Sequence, residues 1–414
     1  MSDFDIVVAG GGMVGATLAS LVSRAVPALR IAVVEGRQPE PMPAPDAGWS
    51  NRVSAVSGAS RHILQAAGAW AAIPQSRLSP YWRMTVWDAR GSPNGPSALH
   101  FDSADLGASE LGHIVENRCI QAGLFGALAE RSGVTWLCPC RVEAFDVEAR
   151  RVVVVLAGRD TVTTQLLVGA DGANSSVRSI AGIGLQQRDY QQHAVVATVS
   201  TEREHARTAW QRFLETGPLA FLPLADGSCS IVWSTTPEEA QRLLRISDEA
   251  FCAALTQAGD GVLGAITSVT GRASFPLRSL HARRYTSPRM ALIGDAAHAV
   301  HPMAGQGVNL GFLDAAALAE VLADSIGAGA DPGDSGPLRR YERWRKGENL
   351  AMAAAIDLLH RLFSSQATPL ALLRSRGLGL VDQSALIKRI FMLRATGVGG
   401  DLPRRARENL GDMV

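Results

Sequence analysis

The stretch Phe4-Asp5-Ile6-Val7-Val8-Ala9-Gly10-Gly11-Gly12-Met13-Val14-Gly15 decides the fold. A short apolar strand runs directly into G-x-G-x-x-G. Residues 13–26 then carry the small and apolar side chains of a packed helix, Arg30-Ile31-Ala32-Val33-Val34 reads as a second strand, and Glu35 stands at its end. This is the layout of a dinucleotide-binding βαβ unit. Gly10 permits the tight turn, Gly12 lets the backbone approach a pyrophosphate, and Gly15 lets helix and strand pack closely. Glu35 can accept hydrogen bonds from ribose hydroxyls. A bare G-x-G-x-x-G is a weak signal, because Gly-rich turns are common. The strand, helix, second strand and acid in sequence give it weight.

Two further turns extend the pattern. Leu166-Leu167-Val168-Gly169-Ala170 is a buried-type strand that ends in Asp171-Gly172, and Ala173-Asn174-Ser175-Ser176-Val177-Arg178 opens a helix. Alone, Asp-Gly is a generic turn. Later, Met290-Ala291-Leu292-Ile293 runs into Gly294-Asp295-Ala296-Ala297-His298-Ala299-Val300-His301-Pro302-Met303-Ala304-Gly305-Gln306-Gly307-Val308-Asn309-Leu310-Gly311. A carboxylate, bare backbone N–H groups and a helix N-terminus gather there, which suits a polar, partly anionic ligand. His298 and His301 lie three apart, but no carboxylate or thiol cluster completes a tetrahedral metal site. They are expected to orient the loop or line the site, with no metal.

In this order the three turns resemble those of the single-component FAD-dependent aromatic hydroxylases, the para-hydroxybenzoate hydroxylase superfamily. Within it the chain is similar to the ubiquinone-biosynthesis hydroxylases. The likeness covers nearly the whole chain. It includes Arg52-Val53-Ser54-Ala55-Val56-Ser57, Gly112-His113-Ile114-Val115-Glu116-Asn117-Arg118 and Gly217-Pro218-Leu219-Ala220-Phe221-Leu222-Pro223-Leu224. Val86-Trp87-Asp88 and Gly400-Asp401-Leu402-Pro403 look most like the branch that hydroxylates C5 of a polyprenylphenol, giving 2-polyprenyl-6-hydroxyphenol. Trp210-Gln211-Arg212-Phe213 resembles the branch that acts later, on a demethoxy-quinol.

The resemblance implies an α/β protein with a Rossmann-like FAD-binding domain, an inserted antiparallel-sheet substrate domain and C-terminal helices. The FAD domain is expected at 1–78, 106–184 and 285–336, the substrate domain at 79–105 and 186–284, and the helical region at 337–414. Gly10, Gly12, Gly15 and Glu35 are expected to hold the adenosine half of FAD. By resemblance, Arg52 reaches toward the flavin, Arg118 toward the pyrophosphate and Asp171 toward the phosphates. Asp295, beside Gly294, is expected to bond a ribitol hydroxyl. Gly305, Gln306, Gly307, Val308 and Asn309 are expected against the isoalloxazine ring, and Pro302 on its substrate face. Backbone N–H groups there, with the helix dipole, can stabilise the anion of reduced flavin.

The implied chemistry is oxygen transfer from a flavin C4a-hydroperoxide to an electron-rich phenol ring, with O2 and NAD(P)H or another donor as co-substrates. The cofactor carries the hard chemistry. No catalytic triad or acid/base pair is evident. A second G-x-G-x-x-G unit is absent, so the nicotinamide binds transiently or a separate reductase delivers electrons. Trp210, Phe213, Phe221, Leu222 and Pro223 are candidates for an apolar substrate wall or for core. The alternatives are hydroxylation at C1 or of a later demethoxy-quinol, an FAD oxidoreductase acting on another aromatic or prenyl substrate, and a non-catalytic carrier on the same fold. The intact 294–311 loop speaks against the last.

Composition agrees with a globular enzyme: 414 residues, 47% hydrophobic, net charge +1. No apolar run spans a bilayer, and the start Met1-Ser2-Asp3-Phe4-Asp5 lacks the cations of a signal peptide. The five cysteines read as reduced cytosolic thiols. Charge is uneven. Residues 339–408 hold 14 Lys/Arg against 6 Asp/Glu, a net +8, which leaves −7 for the rest. Such a tail suits an anionic membrane surface or a protein complex of ubiquinone biosynthesis; solvated helices packed on the first domain are the preferred reading for Arg339–Lys346 and an equal alternative for 370–394. The expected location is cytoplasmic, with peripheral attachment to the inner face of the cytoplasmic membrane as the extension. Near-neutral charge and the lack of a recognised module exclude nucleic acid.

Overall fold

A computed structural model describes residues 3–301, 305–364, 397 and 399–407. The protein is a mixed α/β structure built on two eight-stranded sheets. In the first, Phe4–Ala9 lies between Val162–Gly169 and Ile31–Val34, all parallel; Met290–Leu292 and Val134–Leu137 extend the parallel core on either side. Its strands are near-continuous Val, Ile and Leu because helices cover the sheet, as parallel sheets require. Helix Met13–Ala25 packs against Gly307–Gly327. The approach is close: a Cβ on Gly311 would sit 2.6 Å from Val14, and one on Gly15 only 2.0 Å from the carbonyl of Gly10.

The second sheet runs His298–Ala299, Ile266–Ala282, Leu185–Thr201, Cys229–Thr235, Gly217–Pro223, Thr208–Leu214, Arg83–Asp88, Ala98–Asp102. All its pairings are antiparallel except that of Thr208–Leu214 with Arg83–Asp88. The two-residue period of a strand sorts its faces. Val195, Leu219, Phe221, Ile231 and Trp233 turn toward helices Pro237–Arg245 and Asp248–Ala258 and form one core with Leu243, Phe251 and Leu255. Ala220, Leu222, Val232 and Ser234 turn the other way, toward the first sheet. His298–Ala299 pairs with His281 and Leu280, so the loop after Gly294 crosses from one sheet to the other.

A three-stranded sheet of Val53–Ser57, Gly112–Glu116 and Ser79–Tyr81 bridges the two. Behind it lies a buried charge hub. Glu116 accepts from Arg77 at 3.1 Å, from Arg118 at 2.7 Å and from the Ser50 N–H at 2.6 Å. Arg77, 1% exposed, also donates to the carbonyls of Ala44, Pro45 and Ala47. These bonds tie down the proline-rich segment that precedes Arg52.

The last described α-helix, Ser335–Ser364, begins four residues before the basic tail and runs into it. Leu338, Tyr341 and Arg345 are buried, so this part of the tail is core rather than free basic surface. Its far end reaches the second sheet, where Phe363 stacks on Phe213 at 3.7 Å. Residues 370–394, where a membrane or partner surface and packed helices were equal expectations, lie outside the described residues.

Glu116→Gln removes the only negative charge that Arg77 pairs with among the described residues. We expect a loss of about 3–5 kcal/mol in urea unfolding, with part regained in the doubly apolar Arg77→Met/Glu116→Met variant.

Candidate functional site

Between the sheets lies a cavity of about 470 Å³. One side of its lining comes from the turns of the first sheet: Gly12, Met13 and Val14; Ala170 and Gly172; Asp295; Gly305, Gly307 and Val308. The other comes from the second sheet: Met84, Ala209, Gln211, Pro218, Ala220, Leu222, Val232 and Ser234. All three sequence turns therefore open on one space.

The glycines of the first loop have distinct tasks. Gly10 has φ +104°, and a Cβ there would meet the Ala170 carbonyl oxygen at 2.3 Å. Gly12 has an ordinary extended backbone, and a Cβ on it would meet nothing within 4 Å. It is an open cradle at the start of helix Met13–Ala25, whose N-terminus no side chain caps. Free N–H groups and the positive end of a helix dipole suit a phosphate. Glu35 accepts from the Gly11 N–H at 2.7 Å and the Arg37 N–H at 3.0 Å, with lone pairs left on both oxygens.

Asp295 opens into the cavity although protein surrounds it. Burial raises its pKa, while His298 and Arg52 pull it down. Its carboxylate accepts no hydrogen bond among the described residues, so a ligand hydroxyl has a ready acceptor. Gly305, with φ +60°, Gly307 and Val308 bring the uncapped N-terminus of helix Gly307–Gly327 to the same space.

Beneath the turn lies a residue that no motif singled out. Asp314, fully buried, receives four donors: His298 Nε2 at 2.5 Å, the Gly294 N–H at 3.1 Å, Arg345 Nε at 2.9 Å and Asn349 Nδ2 at 3.0 Å. Burial pushes this carboxyl up, but His298, Arg345 and Asn349 outweigh it and hold it at about 2. His298 must then carry its proton on Nε2. The signal of Asp314 in the sequence was a lone acid on the apolar run after Gly311, matched by one Arg of a basic segment whose charges gave no sign of which is buried.

Other expected residues have different partners. Asp171 accepts from the N–H groups of Ser176, at 2.8 Å, and Val177, at 3.1 Å, and from both serine hydroxyls, so its carboxylate caps helix Ser176–Ile180. The turn meets the cavity through Ala170 and Gly172 instead. The Arg118 side chain is engaged with Glu116 and the Gly48 carbonyl. Arg52 is exposed, with its guanidinium 5.4 Å from the Phe275 ring. The Asn309 side chain accepts from the Ser57 N–H and donates to the Ala55 and Gly305 carbonyls, closing the loop against the bridging sheet. Gln306 lines a separate small cavity beside Arg345. Pro302 lies outside the described residues.

Of the wall candidates only Leu222 lines the cavity. Trp210 and Phe221 belong to the core on the opposite face, and Phe213 stacks on Phe363. His301 and His360 both approach Gln192 Oε1, at 3.2 and 3.1 Å. Among the described residues no group of acids, histidines and cysteines could hold a metal.

Residues 3–353 match the family of FAD binding domains. The chain belongs to the ubiquinone-biosynthesis hydroxylases of that family. It is 37% identical over 406 residues to the ubiquinone hydroxylase UbiL of Rhodospirillum rubrum, covering 97% of this chain and 92% of the relative. It is 35% identical to the 3-demethoxyubiquinol 3-hydroxylase of Escherichia coli, covering 95% and 98%. Among solved structures, p-nitrophenol 4-monooxygenase PnpA of Pseudomonas putida has the same fold, with a TM-score of 0.76 at 20% identity over 97% of this chain and all of that one. FAD is therefore the cofactor of this hydroxylase, and the open cradle at Gly12 and the unpartnered Asp295 are features into which it fits.

Two expectations follow. Gly12→Val keeps an allowed backbone and meets no neighbour, so it should fold normally yet purify without flavin absorbance; Gly10→Val should fail to fold. Second, the Asp314 pKa is lowered on folding from 3.8 to about 2. The stability it contributes is fully present above pH 3.8 and is lost as pH falls toward 2. Urea unfolding across that range should show a pH-dependent component that Asp314→Asn lacks.

Proposed function

We propose that this flavoprotein hydroxylates the aromatic ring of a polyprenylphenol precursor of ubiquinone, at C5, converting 2-polyprenylphenol to 2-polyprenyl-6-hydroxyphenol. The supporting observation is the cavity itself. A cofactor side made of turns and helix N-termini faces a wall of small apolar side chains, with room for a flat ring between them. Bound FAD supplies the electrons and the activation of O2. The reaction consumes the phenol, O2 and NAD(P)H with a proton; one oxygen atom replaces a ring hydrogen and the other leaves as water.

The chain's own residues do the rest. Gly10, Gly12, Gly15 and Glu35 seat the adenosine half. Arg118 and the Asp171–Gly172 turn frame the pyrophosphate, Asp295 takes a ribitol hydroxyl, and Arg52 guards the flavin end. The N–H groups at Gly307 and Val308 bring the positive end of a 21-residue helix to the cavity, where they would favour negative charge on a bound flavin. Ala220, Leu222 and Val232 exclude water, which keeps activated oxygen from escaping as H2O2. Tyr81 lines the same cavity; burial lifts its hydroxyl to about 12, so it stays protonated.

A second reading places the chain at the later step, on a demethoxy-quinol; the named activity of the Escherichia coli relative favours it. No described helix is long and apolar enough to cross a membrane. Access to a lipid substrate is proposed through peripheral attachment to the cytoplasmic face of the membrane, or through a complex of the same pathway, by way of the basic tail.

The deciding measurement is mass spectrometry of quinone-pathway lipids from cells lacking the gene and from restored cells. Polyprenylphenol should accumulate and clear on restoration. Accumulation of a demethoxy-quinone would move the assignment to the later step. An unchanged profile, in cells without a redundant hydroxylase, would remove the pathway from the proposal.

A further inference from the structure

The wall of the cavity opposite the cofactor turns is apolar apart from Ser234 at one edge and Gln211. In the strand pairing, Gln211 stands across from Ala220, and Ala220 across from Val232. Two residues along, Ala209 pairs with Met84. Ala209, Ala220, Val232, Met84 and Leu222 all line the same space. Amid them sits the Gln211 amide, 7% exposed, with a side chain that makes no hydrogen bond among the described residues. Its neighbours along the strand have partners on the other face: Trp210 packs in the core under the sheet, and Arg212 donates to the carbonyls of Ala258 and Ala89. Along this strand Gln211 alone, of the residues that line the cavity, offers a side-chain hydrogen bond to it.

Buried amides are nearly always paired, because an unpaired one forfeits its bonds to water. An amide both donates and accepts. It can accept from a neutral phenol and donate to a phenolate without changing its own charge. A carboxylate would repel the phenolate, and an ammonium would hold it too strongly to release the neutral product. The small residues on either side leave room for a ring beside it.

Building on the reading of the chain as a polyprenylphenol hydroxylase, we propose that Gln211 determines specificity by hydrogen-bonding the phenolic oxygen of the substrate, fixing which ring carbon faces the cofactor. A site built to bond an oxygen rejects the analogue that lacks it, since its own polar group is then stranded.

The test compares wild-type holoenzyme with Gln211→Leu and Gln211→Met, both close to glutamine in size. The probes are a short-chain 2-prenylphenol and the same molecule without the hydroxyl. Binding is read from perturbation of the flavin spectrum, turnover from product and H2O2 yields. Wild type should prefer the phenol by about tenfold or more. Both variants should retain FAD, bind the two probes alike, raise KM for the phenol, and release more H2O2 with a mixture of ring positions. Variants that keep the full preference for the phenol, or that lose FAD while keeping it, would overturn the role of Gln211 and leave the hydroxylase reading intact. A wild-type holoenzyme that reduces with NAD(P)H but neither distinguishes the probes nor hydroxylates the phenol would overturn both.

Discussion

The Asp314 carboxylate is the constraint on which the site depends. It takes His298 and the Gly294 N–H from the turn on one side, and Arg345 and Asn349 from the long C-terminal helix on the other. A fully buried carboxylate is tolerable only when its lone pairs are satisfied and an opposite charge lies beside it. Four donors, one of them the Arg345 guanidinium, meet that condition. The same bonds fix the place of Asp295 relative to the cavity, because Gly294 and His298 flank it. A bond network with no exposed member thus sets the geometry of an open one.

The Glu116 hub does the same for the other end of the site. Its partners Arg77 and Arg118 hold the proline-rich segment before Arg52, and so place the bridging sheet whose residues Val53, Ser54 and Ala55 line the cavity. Arg118 and Asp171 are therefore positioning residues first. Each spends its charge on the protein, and the surfaces they organise are largely backbone. That suits a dinucleotide, whose phosphates are well served by N–H groups and helix dipoles that need no counter-ion.

The sequence by itself determined the cofactor half. Gly10, Gly12 and Gly15 are legible because their demands are local: a positive φ at Gly10 and a close helix–strand contact at Gly15 call for glycine, and Gly12 leaves the cradle between them open. The Gly-Asp turn at 294 and the helix after Gly305 are legible for the same reason. The second, mostly antiparallel sheet was legible as well, through the family resemblance.

Only the tertiary structure decided the substrate half and the supports. Which face of a strand meets the cavity depends on a shift of one residue, and both faces of this sheet are covered. Alternation therefore could not tell Trp210 and Phe221, which are core, from Gln211 and Ala220, which line the site. Asp314 and Arg345 lie 31 residues apart, and charge counting set Arg345 in a solvated helix packed on the first domain, with nothing to pick out its buried partner. Long-range pairing of buried charges leaves no periodic trace, because its partners are chosen by packing rather than by spacing along the chain.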